Sequence, residues 1–314
     1  GEIRYLDAVV NDSRGSALTI ANAVCIHEED HGILWKHFDW RTGLGEVRRP
    51  RRLVVSFIAT VGNYEYGFYW YFYQDGTIQV EVKLTGIVSN GAVMPGETPA
   101  WGELVAPQVY GPIHQHFFNV RLDVTVDGPL NTVYEVNTVA DPPGPENPHH
   151  NAFRTEASLL RSEALAQRTV DPLRGRVWKI GTPSVRNRLG QPVGYKLVPG
   201  ENVLPFAGPE AAVTKRATFM TKHLWVTRYD PGERYAAGDY PNQHPGGAGL
   251  PAYVEDDAPL DNAEAAIVTA SGMAAISTAL LTVLSASDHL LAQDSLYVGT
   301  HDFITKDFAG FGLT

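Results

Sequence analysis

The chain has 314 residues, room for about two domains of ordinary size, and its 44% apolar and 19% charged residues exclude a disordered chain. Against 35 Asp+Glu there are 25 Lys+Arg, a net charge of −10, which excludes the basic surface that a nucleic-acid partner requires. One cysteine, Cys25, excludes an intrachain disulfide and a cysteine-based zinc cluster. Residue 1 opens directly into a strand-like stretch without a signal peptide, so the sequence reads as part of something longer, with a cytoplasmic location favoured.

Up to about residue 260 the pattern is β-rich. Residues 53–61 and 66–73 are runs of β-branched and aromatic side chains, and Asp75-Gly76 marks a tight turn. Ile78, Val80, Val82 and Leu84 then alternate with polar residues, which predicts a half-buried strand. The same alternation at Val120, Leu122, Val124 and Val126 predicts another, closed by Asp127-Gly128. Residues 132–139 and 223–228 are further strand candidates, 141–148 is a Pro-rich loop, and 155–167 reads as helical. The list predicts a mainly β fold, a large antiparallel β-sandwich.

The composition changes after residue 260. All tryptophans, prolines and arginines precede this point, while ten of the last 54 residues are alanine. Residues 265–287 carry no charge, yet their Ser, Thr and Gly content predicts a buried helix of a soluble fold rather than a membrane span. Residues 288–293 read as a buried strand entering a loop. Two domains follow from this reading, 1–260 and an α/β-like segment of foreign character, 261–314.

Three motifs carry chemistry. His27-Glu-Glu-Asp-His31 fits the zinc pattern H-E-x-x-H, but that pattern needs both histidines on one helix. Here Gly32 follows at once and the flanks suit strands, so the segment is expected to be a solvated turn. His114-Gln115-His116, placed on a strand, would point both imidazoles to one face, a pair suited to copper or zinc. Thr60-Val-Gly-Asn-Tyr-Glu-Tyr66 is a bend between two aromatic strands.

Together with the downstream His-x-His, that bend closely resembles the T-x-x-N-Y-[DE]-Y cofactor motif of the copper amine oxidases. The resemblance runs in order through residues 24–30, 35–37, 48–56, 68–70, 110–116, 193–198, 223–229 and 242–251. It implies that Tyr64 is the precursor of topaquinone, that Asn63 helps orient its ring, and that His114 and His116 bind copper. It further implies oxidation of a primary amine by dioxygen to aldehyde, ammonia and hydrogen peroxide, and a homodimer; the charge and composition above predict no nucleic-acid or membrane partner. Asp123 with the Val124 carbonyl resembles part of a peripheral calcium or manganese site. The family's aspartate base and the disulfide partner of Cys25 correspond to positions upstream of Gly1. The third copper histidine falls where this chain has Ala275.

From about Asn262 the sequence resembles pyridoxal-phosphate enzymes of cysteine and methionine metabolism, whose phosphate cap and ring-stacking tyrosine would correspond to Ser271, Gly272, Met273 and Tyr297. The sequence therefore reads as a junction of two families. The alternatives to an amine oxidase are a non-catalytic copper-binding β-domain and a fragment of a pyridoxal-phosphate lyase.

Overall fold

The computed structural model describes residues 2–200, 202–242 and 245–260. The segment 261–314, with the expected buried helix, strand and pyridoxal-like residues, lies outside them. The described residues form two compact units that divide between His114 and Gln115.

In the first unit β1 (Ile3–Asn11), β2 (Ala17–Asp30), β5 (Arg51–Val61), β6 (Tyr64–Tyr73) and β7 (Ile78–Gly86) form an antiparallel sheet in the order β1-β2-β5-β6-β7. Between β2 and β5, β3 (Trp35–Asp39) and β4 (Leu44–Arg48) make a separate two-stranded hairpin. The third sheet places β10 (Val109–Pro112) between β8 (Gly91–Ala92) and β9 (Gly102–Ala106). It is small, and one aromatic ring packs it. Tyr110 stands directly across from Gly91, and a Cβ on Gly91 or Gly102 would lie 2.6 Å or 2.5 Å from its ring carbons.

The strands at 53–61 and 66–73 and the Asp75-Gly76 turn are as the sequence predicts. The β7 alternation is a strand, but its burial does not alternate, since Ile78 and Leu84 are exposed. The physical reason is that β7 is an edge strand whose polar face is also in use. Glu81 accepts the Tyr71 O–H at 2.6 Å, and Lys83 lies 4.2 Å from the Tyr69 ring centroid.

The second unit is built on β12 (Phe153–Leu159), β11 (Thr132–Ala140), β14 (Val177–Arg186) and β15 (Pro192–Leu197), antiparallel in that order. β13 (Gln167–Arg168) pairs with β16 (Leu224–Trp225), and two short α-helices, α1 (Ala212–Arg216) and α2 (Leu250–Tyr253), and three 3-10 turns are the helical elements among the described residues. Its core contains Val133, Leu160, Trp178, Ile180, Leu224 and Leu260. Burying such side chains yields about 1.5–3 kcal/mol each. Glu135, almost fully buried, is held by Arg168 at 2.6 Å and 2.9 Å and by Arg176 at 3.2 Å.

Three expectations are corrected here. The helix expected at 155–167 is a strand followed by a 3-10 turn at Ala164–Ala166, because residues 153–159 complete a ladder with β11. Tertiary pairing overrides weak local propensity. Beyond it, buried Glu163 spends its carboxylate on two distant backbone donors, Arg228 N–H at 2.7 Å and Ala258 N–H at 3.2 Å. Residues 120–126 lie in no ladder, since period-two patterning specifies an extended backbone and not a partner. Only Leu224–Trp225 of the 223–228 run pairs as a strand.

Candidate active site

Strands β5 and β6 are joined by the two residues Gly62-Asn63, with Val61 opposite Tyr64. The turn therefore delivers Tyr64 as the first residue of β6, half-buried at the end of the sheet. On its other side Tyr64 pairs with Gly86 of β7, and the Asn63 carbonyl accepts the Ile87 N–H at 2.7 Å. Asn63 itself is exposed and ties the turn through its backbone.

The Tyr64 hydroxyl lies 3.0 Å from Nε2 of His114, with the two ring centroids 5.7 Å apart. His114 Nδ1 lies 2.8 Å from the Pro112 carbonyl oxygen. A carbonyl only accepts, so Nδ1 carries the proton and Nε2 presents its lone pair to the phenol, which donates. This is the tautomer that a metal-ligating imidazole needs. The lone pair of Nε2 and the adjacent phenol oxygen suit copper or zinc better than calcium or magnesium. Among the described residues no group of three or more His, Cys, Asp and Glu side chains is placed to hold a metal ion. Ala275, where the third copper histidine is expected, lies outside them.

The His114–His116 stretch is not the strand the sequence suggests. The β10 ladder reaches Ile113, whose N–H donates to the Trp101 carbonyl at 3.1 Å, and stops there. His114 is exposed at the end of the first unit, and His116 is half-buried in the second. Between them Gln115 makes two bonds to one loop of the second unit. Its Oε1 accepts the Phe206 N–H at 2.8 Å and its Nε2 donates to the Leu204 carbonyl at 3.3 Å.

Asp123 and Val124 lie in the unladdered run 120–126 of the second unit, with Val124 packed against its core. Asp123 keeps part of its surface in solvent, yet burial raises its carboxyl pKa, with the Arg121 charge opposing. Ser271, Gly272, Met273 and Tyr297 lie outside the described residues.

The H-E-x-x-H segment is a correction of a different kind. It is neither a metalloprotease helix nor a solvated turn, because β2 continues through Asp30. Its acids pair with arginines that follow β4 or open β5: Glu28 with Arg51, Glu29 with Arg52, and Asp30 with Arg49 at 2.6 Å. His27 lies 3.6 Å from Glu29 and 3.7 Å from Cys25, as the period of a strand dictates. A surface groove of about 300 Å³ lined by Arg51, Arg52, Tyr73 and Gln74 lies at the far end of the β5–β6 hairpin from Tyr64. Both arginines there are already committed to carboxylates.

Sequence reasoning missed the Pro112 carbonyl, Gly86 and the Gln115 amide. The first acts through its backbone and the second through the lack of a side chain, so neither leaves a residue-type signal. Gln115 stood in plain view between the two histidines.

Comparison with known proteins bears on this geometry. Diamine oxidase [copper-containing] 1, peroxisomal, of Nicotiana tabacum is 53% identical over 269 residues, covering 84% of this chain and 34% of that protein. Histamine oxidase of Arthrobacter globiformis is 50% identical over 87% of this chain and 40% of its own length. The crystal structure of a copper-containing benzylamine oxidase from Hansenula polymorpha superimposes with a TM-score of 0.80 at 34% identity, covering 84% of this chain and 42% of that one. The chain thus spans about two-fifths or less of the length of these curated relatives. Residues 253–314 match the Cys/Met metabolism PLP-dependent enzyme family, in agreement with the change of composition after residue 260. Residues 1–278 match the enzyme domain of copper amine oxidase, and the chain belongs to the copper amine oxidase family.

Proposed function

We propose that residues 1–260 are the greater part of a catalytic domain that oxidises primary amines with dioxygen to aldehyde, ammonia and hydrogen peroxide. In this reading Tyr64 is the topaquinone precursor, His114 and His116 hold copper, and 261–314 is a separate segment. The observation that carries it is the 3.0 Å approach of the Tyr64 hydroxyl to Nε2 of His114, with Nδ1 tied to the Pro112 carbonyl. When bound, copper supplies the redox chemistry with dioxygen that converts the phenol to a quinone, and the quinone supplies the electrophilic carbonyl at which an amine is oxidised. The chain's own part is placement. The Gly62-Asn63 turn and the Asn63 carbonyl fix the start of β6, and the Pro112 carbonyl fixes the tautomer of His114.

Calcium or manganese at Asp123 and the Val124 carbonyl is the corresponding proposal for a peripheral site, resting on the family resemblance. A homodimer is supported by the β3–β4 hairpin, which exposes Trp35, Phe38, Leu44 and Val47. An isolated two-stranded ribbon is marginal in water without a covered apolar face. Among the described residues no helix is long and apolar enough to cross a membrane. The tobacco relatives are named peroxisomal, which supports an intracellular compartment. Ala275 at the third ligand position favours a second reading, a copper-binding β-domain without turnover.

The test of copper binding is titration of the full chain with Cu(II), followed by electron paramagnetic resonance. Nitrogen couplings from imidazole should appear, and His114→Ala and His116→Ala should each weaken binding. Binding that is unchanged in both variants refutes the assignment. A carbonyl-reactive hydrazine then separates the two readings once the expected third ligand is supplied by Ala275→His: label on Tyr64 marks the oxidase domain, and a copper-loaded variant still without label marks the binding domain.

A further inference from the structure

Removing the His114–His116 stretch from the sheet raises a question that any ordered, non-ladder backbone raises, namely what replaces the missing hydrogen bonds. Beyond Ile113 no strand is assigned until Thr132. Side-chain contacts such as that of His114 Nδ1 with the Pro112 carbonyl orient a ring, but a metal platform also needs the backbone that carries its ligands to be held.

The side chain of Gln115 answers that need. Its carboxamide accepts from the Phe206 N–H at 2.8 Å and donates to the Leu204 carbonyl at 3.3 Å. These are a donor and an acceptor two residues apart on one loop, the same pair that a neighbouring strand would offer. The amide thus stands in for a peptide group of an absent strand. Its orientation is fixed by chemistry, because a flipped amide would set N–H against N–H and oxygen against oxygen.

We propose that Gln115 is the positioning residue of the His-x-His pair. Its amide clips the backbone at 115 to the 204–206 loop, so that the imidazoles one residue to either side hang from an anchored point. The inference rests on the copper reading of His114 and His116. Gln115 touches neither metal nor substrate in this role, and it acts by lowering the freedom that the two ligands lose on binding. Outer-shell partners of this kind are worth about 10–100-fold in metal affinity. Glutamate at this position keeps the acceptor for Phe206 but places an anionic oxygen against the Leu204 carbonyl, so it should retain only half of the clip.

The experiment uses the full chain and Cu(II) alone, with two readouts. Backbone hydrogen exchange on the metal-free chain reports the Phe206 amide. Equilibrium titration and electron paramagnetic resonance report the metal. Gln115→Ala should speed exchange at Phe206, weaken Cu(II) binding about 10–100-fold and broaden the copper signal. Gln115→Glu should fall between wild type and Gln115→Ala, and far-UV circular dichroism should be unchanged in both. If Gln115→Ala does not fold, Gln115→Glu decides alone. Faster exchange at Phe206 with unaltered affinity and signal overturns the positioning role and leaves copper binding intact. Failure of the wild-type chain to bind Cu(II) instead overturns the reading on which it rests.

Discussion

Gly86 offers the sharpest test of how the start of β6 is held. It lies opposite Tyr64 with φ +101°, and a Cβ there would stand 2.5 Å from the Asn63 carbonyl oxygen, 2.8 Å from the Glu65 nitrogen and 3.0 Å from Tyr64 Cα. All three are backbone atoms, so no side chain can swing aside. Gly86→Ala therefore meets two costs: about 1–3 kcal/mol for an L-residue at that φ, and a further 1–3 kcal/mol or so for overpacking. Displacing Asn63 also weakens its 2.7 Å bond from Ile87, worth about 1 kcal/mol. The total is about 3–7 kcal/mol. Gly76 is the control, because its φ is +85° and an added Cβ would meet nothing within 4 Å. Gly76→Ala should cost only the backbone part, about 1–3 kcal/mol. Urea denaturation of both variants, read as midpoint shifts at constant slope, measures the difference. Hydrogen exchange at the Ile87 amide should rise in Gly86→Ala alone. Equal destabilisation of the two variants would refute the steric argument.

Other outcomes follow from the second unit and from the metal count. Arg168→Ala leaves the buried Glu135 with Arg176 and the Asn137 amide and should cost about 3 kcal/mol in chemical denaturation, the low end for a broken buried pair because Arg168 is partly exposed. Burial would raise the Glu135 pKa, but the arginines more than reverse this and hold it below the usual carboxylate range. Its stabilisation is thus present above the unfolded pKa and is lost as pH falls through the folded one, and Glu135→Gln should flatten that acid limb of a stability–pH curve. Glu233 is the opposite case, pushed up to about 7 by burial and by the Asp230, Glu163 and Asp256 carboxylates. The folded state then holds a proton that the unfolded chain has released, so stability should fall as pH rises from about 4.5 to 7 and Glu233→Gln should remove that fall. Because the family resemblance puts Ala275 where the third copper histidine is expected, the chain as it stands, incubated with Cu(II) and air, should show no quinone absorption and no peroxide from benzylamine-like amines. A coloured, peroxide-producing preparation would sink that argument.

What could be read in advance depended on the range of the interaction. Runs such as 53–61 and the Asp75-Gly76 turn declare themselves through local chemistry, and the Tyr64 and His114 motifs through ordered family likeness. The misreadings all turn on a partner distant in sequence. Residues 153–159 became a strand because β11 was there to pair with, whereas 120–126, equally well patterned, found no partner. The acids at 28–30 looked solvated because the arginines at 49–52 lie some twenty residues further on. The tautomer of His114 rests on a backbone carbonyl, which no side-chain pattern encodes.

The ring of Tyr110 seated over Gly91 and Gly102 has a consequence for how this segment can drift over generations. Any larger residue at either glycine collides with the ring, and any smaller residue at 110 uncovers both glycine backbones. The three positions are therefore expected to be inherited as one character, although ten residues separate the first two and seven the last two. Single substitutions among them should be disfavoured, while a paired exchange, with a compact residue at 110 and a side chain at 91, offers an equivalent filling of the same space; a Cβ at 102 would still meet the Gly111 carbonyl oxygen at 2.6 Å. A library that varies 91, 102 and 110 together should recover exchanges at 91 and 110 and glycine at 102, where one that varies them singly recovers glycine, tyrosine and glycine.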